Sequence, residues 1–152
     1  MRGLLAAAVL AIAGVAVAGC VPHPVGPART FDSYEGKAAT TAESALSAVE
    51  TVRLAADTSS RGNAFGPYLS VLVSDAEASL DGLAGTFDSI QPPDEQADAL
   101  HDELAELLQS AGDNVRTVRV SVRRGELDSL ADVAEPLSAD ADELRAFAED
   151  HG

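Results

Sequence analysis

The chain is poor in the residue types on which many functional sites depend. Among its 152 residues there is no tryptophan, one cysteine, one lysine, three histidines and only six aromatic side chains. A single cysteine excludes an intramolecular disulfide and a cysteine-cluster metal site. Three scattered histidines, without a His-Glu-x-x-His pair, leave few groups for metal or acid–base chemistry.

Sequence motifs for common enzymatic and cofactor-binding sites are missing as well. There is no Gly-x-Ser-x-Gly elbow, no phosphate-binding glycine-rich loop, no dinucleotide fingerprint and no Asp-x-Asp-x-Asp-Gly calcium loop. Basic residues are scarce too: 25 acidic residues face 10 basic ones, for a formal net charge of −15. Such a chain repels nucleic acid. We therefore expect no enzyme, no cofactor, no metal and no nucleic-acid partner.

The first twenty residues have the pattern of an export signal. Arg2 is followed by seventeen residues, Gly3 to Gly19, that are all Gly, Ala, Val, Leu or Ile. A positive start followed by an apolar run is typical of a secretory leader. Val17, Ala18 and Gly19 directly precede Cys20, the only cysteine. This segment resembles the lipobox of bacterial lipoprotein precursors.

The resemblance implies cleavage between Gly19 and Cys20, a thioether-linked lipid on Cys20, and often acylation of the new amino terminus. It predicts a location at the extracytoplasmic face of the cell membrane, with the acyl chains as the anchor. The alternatives are an ordinary secretory signal and an uncleaved amino-terminal anchor. Removal of 19 of the 152 residues leaves 133, the size of one domain, and loss of Arg2 takes the charge from −15 to −16.

Three parts of the chain follow from this interpretation. Residues 1–19 are the cleaved signal peptide, and residues 20–30 are the lipidated cysteine and an extended linker. The linker contains three prolines between residues 22 and 27, which prevent a helix and favour an extended backbone. Residues 31–152 are the folded domain.

Apolar residues recur in this domain at helical spacings of three and four, and no stretch shows the sustained alternation of a strand. They form four stripes: Ala38, Ala42, Ala45, Val49, Val52 and Ala56; Phe65, Leu69, Leu72, Ala76, Leu80, Leu83, Phe87 and Ile90; Leu100, Leu104, Leu107, Ala111, Val115, Val118 and Val122; Leu130, Ala134, Leu137, Ala141, Leu144 and Ala148. The prediction is an all-α domain, an antiparallel four-helix up-down bundle.

Local residues predict where these helices begin and end. Asp32 and Glu35 have the spacing of a capping box for the first helix, and Gly62 suits a left-handed residue after it. Asp94 follows two prolines at the start of the third helix, and Gly125 ends that helix. The sequence predicts a fourth helix from about residue 126, kinked at Pro136. The alternative is one bent helix in place of the third and fourth, which would give a three-helix core.

Four arginines form the main candidate for a docking patch. Arg116, Arg119 and Arg123 are spaced along one helical face, and Arg124 is adjacent. Such a stripe can bind a carboxylate, a phosphate or an acidic partner. The simpler interpretation is compensation of the helix dipole together with ion pairs to a neighbouring helix, with Asp128 and Asp132 as examples.

The remaining candidates are a histidine, two tyrosines and the alanines. Asp98 and His101 lie one turn apart, but a lone pair of this kind predicts a histidine that is solvated or paired with Asp98 or Asp102. Tyr34 and Tyr68 lie in first turns, where their hydroxyls would reach solvent. Alanine dominates the first and fourth stripes, which favours close helix packing or else leaves a groove for a partner helix or lipid.

These observations predict a non-enzymatic, membrane-anchored interaction module with a protein partner in the cell envelope. The alternative function is a carrier or sensor that binds a small apolar or lipid ligand between helices.

Overall fold

The structure, a computed structural model, describes residues 27–62 and 66–152. Within these residues the fold is all-α, as predicted, without a strand. Its five helices are α1 (Phe31–Ser60), α2 (Gly66–Asp88), α3 (Glu95–Arg124), α4 (Leu130–Val133) and α5 (Leu137–His151). None of them is long and apolar enough to cross a membrane. The predicted signal peptide, the lipobox Val17–Gly19, Cys20 and Phe65 lie outside the described residues.

The amino-terminal cap of α1 differs from the predicted one. Thr30 is the N-cap, in extended conformation, and its hydroxyl accepts a hydrogen bond of 3.3 Å from the Ser33 backbone N–H. The expected capping box is therefore wrong, because Asp32 already lies inside the first turn. There Asp32 still interacts favourably with the positive end of the helix dipole. Glu35 contacts α5 instead of the helix start.

Three other helix boundaries agree with the sequence prediction. Gly62 follows α1 with φ +74°, and Gly125 follows α3 with φ +75°. Both angles lie in the left-handed region, where a side chain is disfavoured. Asp94 is the N-cap of α3, and its carboxylate accepts a hydrogen bond of 3.0 Å from the Ala97 N–H.

The predicted kinked fourth helix is wrong, because the chain forms two separate helices there. Residues 126–129 are not helical, α4 is a single turn, and turn residues 134–136 precede α5. Pro136 has no backbone N–H, and a proline ring inside a helix clashes with a carbonyl of the preceding turn. The helix is therefore interrupted at this point instead of being kinked. The left-handed Gly125 separates α3 from α4, which excludes the single bent helix.

The predicted stripes form the core. Every described stripe residue is buried except Leu72, Leu83, Ile90 and Leu107, which are half-buried. Val73 and Leu108 are buried in addition to the predicted residues. The alanines of α1 are packed rather than lining a void, and α1 makes its most extensive contacts with α5, whose stripe also contains alanines. Small side chains therefore serve close helix approach here.

The packing leaves one side of the domain open. Helix α1 packs against the other four helices, and α3 packs against α2, α4 and α5. Within the described residues α4 and α5 contact α1 and α3 but not α2. The outer valley between α1 and α2 is therefore covered by no described helix.

Candidate binding groove between the first two helices

Two of the four predicted docking arginines are occupied by ion pairs. Arg116 Nε lies 3.2 Å from Glu77 Oε1, and its Nη1 lies 2.6 Å from Asp113 Oδ1. Arg119 pairs with the other oxygen of Glu77. Asp113 lies on α3 itself, whereas Glu77, which both arginines share, belongs to the preceding helix α2; neither partner is Asp128 or Asp132. The pairs with Glu77 link α2 to α3.

The other two arginines, Arg123 and Arg124, are exposed in the last turn of α3. No carboxylate in the described part of the chain lies within 4 Å of either guanidinium. Their position suits compensation of the negative end of the α3 dipole. All four arginines therefore lie on α3, but Arg116 and Arg119 form ion pairs whereas Arg123 and Arg124 are exposed.

His101 is a packed side chain at the junction of α2 and α3. Its ring stacks on Phe87 with centroids 5.2 Å apart, Nε2 lies 3.6 Å from Asp88 Oδ1, and Nδ1 lies 3.6 Å from Asp102 Oδ1. Asp98 and Asp102 were the two carboxylates predicted as partners of His101, and of these only Asp102 lies within 4 Å of the ring in the described structure. The contact with Asp88 was not predicted from the sequence. Among the described residues no group of three potential ligands could hold a metal ion.

Tyr34 corrects a prediction, because its side chain is fully buried and not solvent-facing. It lies against Phe87 with ring centroids 5.5 Å apart, and its hydroxyl has no hydrogen-bond partner in the described structure. Burial raises the pKa of Tyr34 to about 12, and the nearby charges of Asp98, Asp88 and Asp102 add to this effect. Tyr68 is 64% exposed, as predicted for its first-turn position.

A buried carboxylate joins α3 to α5. Asp140 is 4% exposed and accepts hydrogen bonds of 2.7 Å from Ser110 Oγ and 2.7 Å from Asn114 Nδ2. Asp140 also lies in the first turn of α5, where the helix dipole favours a negative charge. The group is thus fully engaged in holding two helices together, which indicates a structural role.

A groove of about 870 Å³ lies between α1 and α2. Along α1 its wall extends from Lys37 to Thr51, which at 1.5 Å per residue is about 21 Å. The α2 side supplies apolar side chains, among them Leu72, Leu83 and the exposed Val71, and Ile90 lies beyond the end of the helix. The volume falls within the range of small-molecule sites, about 300–1,000 Å³.

The α1 wall of this groove carries five small hydroxylated residues, and four of them donate a hydrogen bond to the backbone of their own helix. Thr40 Oγ1 donates to the Gly36 carbonyl at 2.9 Å, Ser44 Oγ to the Thr40 carbonyl at 2.9 Å, and Thr51 Oγ1 to the Ser47 carbonyl at 2.8 Å. Hydroxyls engaged in this way with the preceding helical turn have little need of further partners. The groove is therefore more apolar than its composition indicates.

The charge of the groove also differs from that of the whole molecule. Only Lys37 and Asp75 are charged among the lining residues, although the chain carries a net charge of −15. Lys37, the only lysine in the sequence, is the first lining residue of α1. The ring contact between Tyr34 and Phe87 puts this part of α1 beside the carboxyl-terminal part of α2.

The groove expected beside the alanine-rich faces of the first and fourth stripes is not this one, which lies between α1 and α2. The available signal was a second row of small residues on α1, Thr41, Ser44, Ala48 and Thr51, at helical spacing but off the alanine stripe. Comparison of the chain with protein-family models, curated proteins and solved structures finds no match.

Proposed function

We propose that the chain is a lipoprotein of the bacterial cell envelope, held at the extracytoplasmic face of the membrane by lipid on Cys20. The proposal rests on the leader sequence, in which Val17, Ala18 and Gly19 precede the only cysteine. Residues 1–19 are the leader, residues 20–30 the lipidated cysteine and tether, and residues 31–152 the helical domain.

The proposed arrangement of this domain is an up-down bundle in which α4 and α5 together occupy the fourth position. Two contacts between α1 and α5 support opposite directions for these helices. Glu35 Oε1 lies 2.9 Å from His151 Nδ1, and Glu50 Oε1 lies 2.9 Å from Arg145 Nη2. The later α1 residue contacts the earlier α5 residue, as in an antiparallel pair of helices. Consecutive helices joined by short connections favour the same alternation.

The helical domain acts, in this proposal, as a non-enzymatic carrier or sensor that binds an apolar ligand in the α1–α2 groove. The single observation that carries it is the lining of the groove: apolar side chains on α2 face an α1 wall on which four of the five hydroxyls are bonded to the backbone of their own helix. A surface of this kind gains free energy by excluding water and offers few directional hydrogen bonds.

A protein-interaction module is the second candidate, and a different observation favours it. Leu54, Tyr68 and Val71 are 67%, 64% and 60% exposed. Large apolar side chains exposed to this degree are common at protein–protein contacts, where tyrosine is particularly enriched. The exposed pair Arg123 and Arg124 would then add a local positive charge for an acidic partner.

The test combines two measurements on protein extracted from its own membranes. The intact mass is expected to be that of a chain beginning at Cys20 with added lipid, and a chain beginning there without lipid would refute the anchor. Mild cross-linking followed by mass spectrometry of proteins and small molecules is expected to recover a bound lipid or metabolite. A stoichiometric protein in its place would establish the interaction module and refute the carrier.

A further inference from the structure

We propose that the α1–α2 groove binds a long-chain fatty acid, with the carboxylate at Lys37 and the alkyl chain lying along the groove. This inference rests on the proposed carrier function and specifies its ligand. It follows from three properties of the groove: the position of its one cation, the lack of charge along the rest of its α1 wall, and its length.

The cation lies at one end. Lys37 is the first groove-lining residue of α1, and the remaining lining of α1, up to Thr51, is uncharged. An ammonium group binds a carboxylate through a charge-assisted hydrogen bond. One cation followed by an otherwise uncharged α1 wall of about 21 Å matches an amphiphile that has one anionic end and one unbranched chain.

The rest of the groove suits an alkyl chain better than a polar molecule. Leu72, Leu83 and Ala76 supply apolar surface, and the hydroxyls of Thr41 and Ser79 donate to backbone carbonyls at 2.9 Å and 2.8 Å. A polar ligand would lose hydrogen bonds to water there without full replacement, whereas an alkyl chain has none to lose. Asp75, the other charged lining residue, is exposed to solvent, where its charge remains hydrated.

The orientation of the groove agrees with delivery from a membrane. The chain leads back from the amino-terminal end of α1 to Cys20, and Lys37 lies within two turns of that end. The proposed anchor would therefore hold the Lys37 end of the groove towards the bilayer. A fatty acid partitions into a bilayer with its carboxylate at the surface, so the headgroup site and the membrane surface lie on the same side.

Two glycines of α2 allow a matched test. An added Cβ would meet no atom within 4 Å at either Gly82 or Gly85, and only Gly82 lines the groove. Gly82→Phe therefore fills the groove, whereas Gly85→Phe adds the same side chain to the same helix outside it. Both changes replace glycine by a better helix former, so neither is expected to unfold α2.

The experiment uses the full-length lipidated protein in liposomes and a palmitate that carries a photoreactive diazirine on its chain. Cross-links are expected on peptides covering residues 37–51 and 68–90. We expect Gly82→Phe to reduce their yield at least tenfold and Gly85→Phe to change it less than twofold. Lys37→Gln is expected to reduce the yield about fivefold for the acid and to leave that of the matching long-chain alcohol unchanged.

Three results of the labelling experiment would overturn the inference. One is labelling that is equal in the wild type and Gly82→Phe, and another is adducts mainly outside the two helices. The third is an equal effect of Lys37→Gln on acid and alcohol, which would remove the carboxylate site. A different bound small molecule that is lost in Gly82→Phe would overturn the fatty-acid assignment while leaving the carrier function intact. A protein partner lost in that variant would overturn both.

Discussion

The buried hydroxyl of Tyr34 leads to the most specific stability prediction, which is that Tyr34→Phe stabilises the protein. The ring is fully buried, and the hydroxyl lacks a hydrogen-bond partner in the described structure. Leaving such a group unsatisfied costs about 1–3 kcal/mol. The phenylalanine ring retains the contact with Phe87, so the free energy of unfolding at pH 7 is expected to rise by roughly 1–2 kcal/mol.

The same residue predicts a pH dependence. The folded protein holds the pKa of Tyr34 at about 12, above the value of about 10 in an unfolded chain. Between these values the unfolded state binds fewer protons than the folded state, so stability falls as pH rises. Relative to its value below pH 10, the free energy of unfolding therefore falls by at most roughly 2–3 kcal/mol, and the fall is complete only above about pH 12. Tyr34→Phe removes this pH-dependent loss and leaves the stabilisation expected at pH 7.

Urea unfolding followed by circular dichroism at pH 7 and across pH 9–12 measures both effects. Tyr68→Phe is the matched control, because Tyr68 is 64% exposed and its change should alter stability by less than about 0.5 kcal/mol. The reasoning would be refuted if Tyr34→Phe lowered stability at pH 7. That result would mean that the hydroxyl has a partner, such as a buried water or a ligand, which the phenylalanine cannot satisfy.

Two further predictions concern the ends of α3 and α5. Asp140→Ala should lower the free energy of unfolding by about 2–4 kcal/mol, because it removes two charge-assisted hydrogen bonds to α3. The control, Asp142→Ala at an exposed position of the same helix, should lower it by less than about 0.5 kcal/mol. Equal effects in thermal unfolding would contradict the bridging role. Gly125→Ala should lower the free energy of unfolding by about 1 kcal/mol, because the φ of Gly125 is +75°. The control, Gly112→Ala, changes a helical glycine with open space for a Cβ and should not lower it. Unchanged stability of Gly125→Ala would mean that α3 ends differently.

Helix positions and the core could be predicted from the sequence because they depend on local pattern. The stripes through Val49, Leu104 and Leu144 follow from a period of 3.6 residues, and the left-handed Gly62 and Gly125 follow from backbone sterics. These features need no knowledge of which helix lies beside which. The sequence identifies Pro136 as the position at which the last helix is disturbed, but it does not show that the chain forms two separate helices there.

The features that could not be predicted from the sequence depend on packing between helices. Tyr34 is buried because Phe87 of α2 packs against it, and nothing in the first turn of α1 indicates that neighbour. Arg116 and Arg119 pair with Glu77 because α2 lies beside α3 at that level. The groove, likewise, exists because no described helix covers the outer side of α1 and α2. Sequence spacing identifies faces, but only the packing decides which faces meet.

Binding of a ligand in the α1–α2 groove is tested most directly in the native cell. The wild type, Gly82→Phe and Gly85→Phe are expressed there, and every molecule, protein or lipid, that co-purifies with each from membranes is quantified. We expect a stoichiometric bound lipid with the wild type and Gly85→Phe, and its loss from Gly82→Phe. Equal recovery from all three proteins would mean that the groove is not the binding surface.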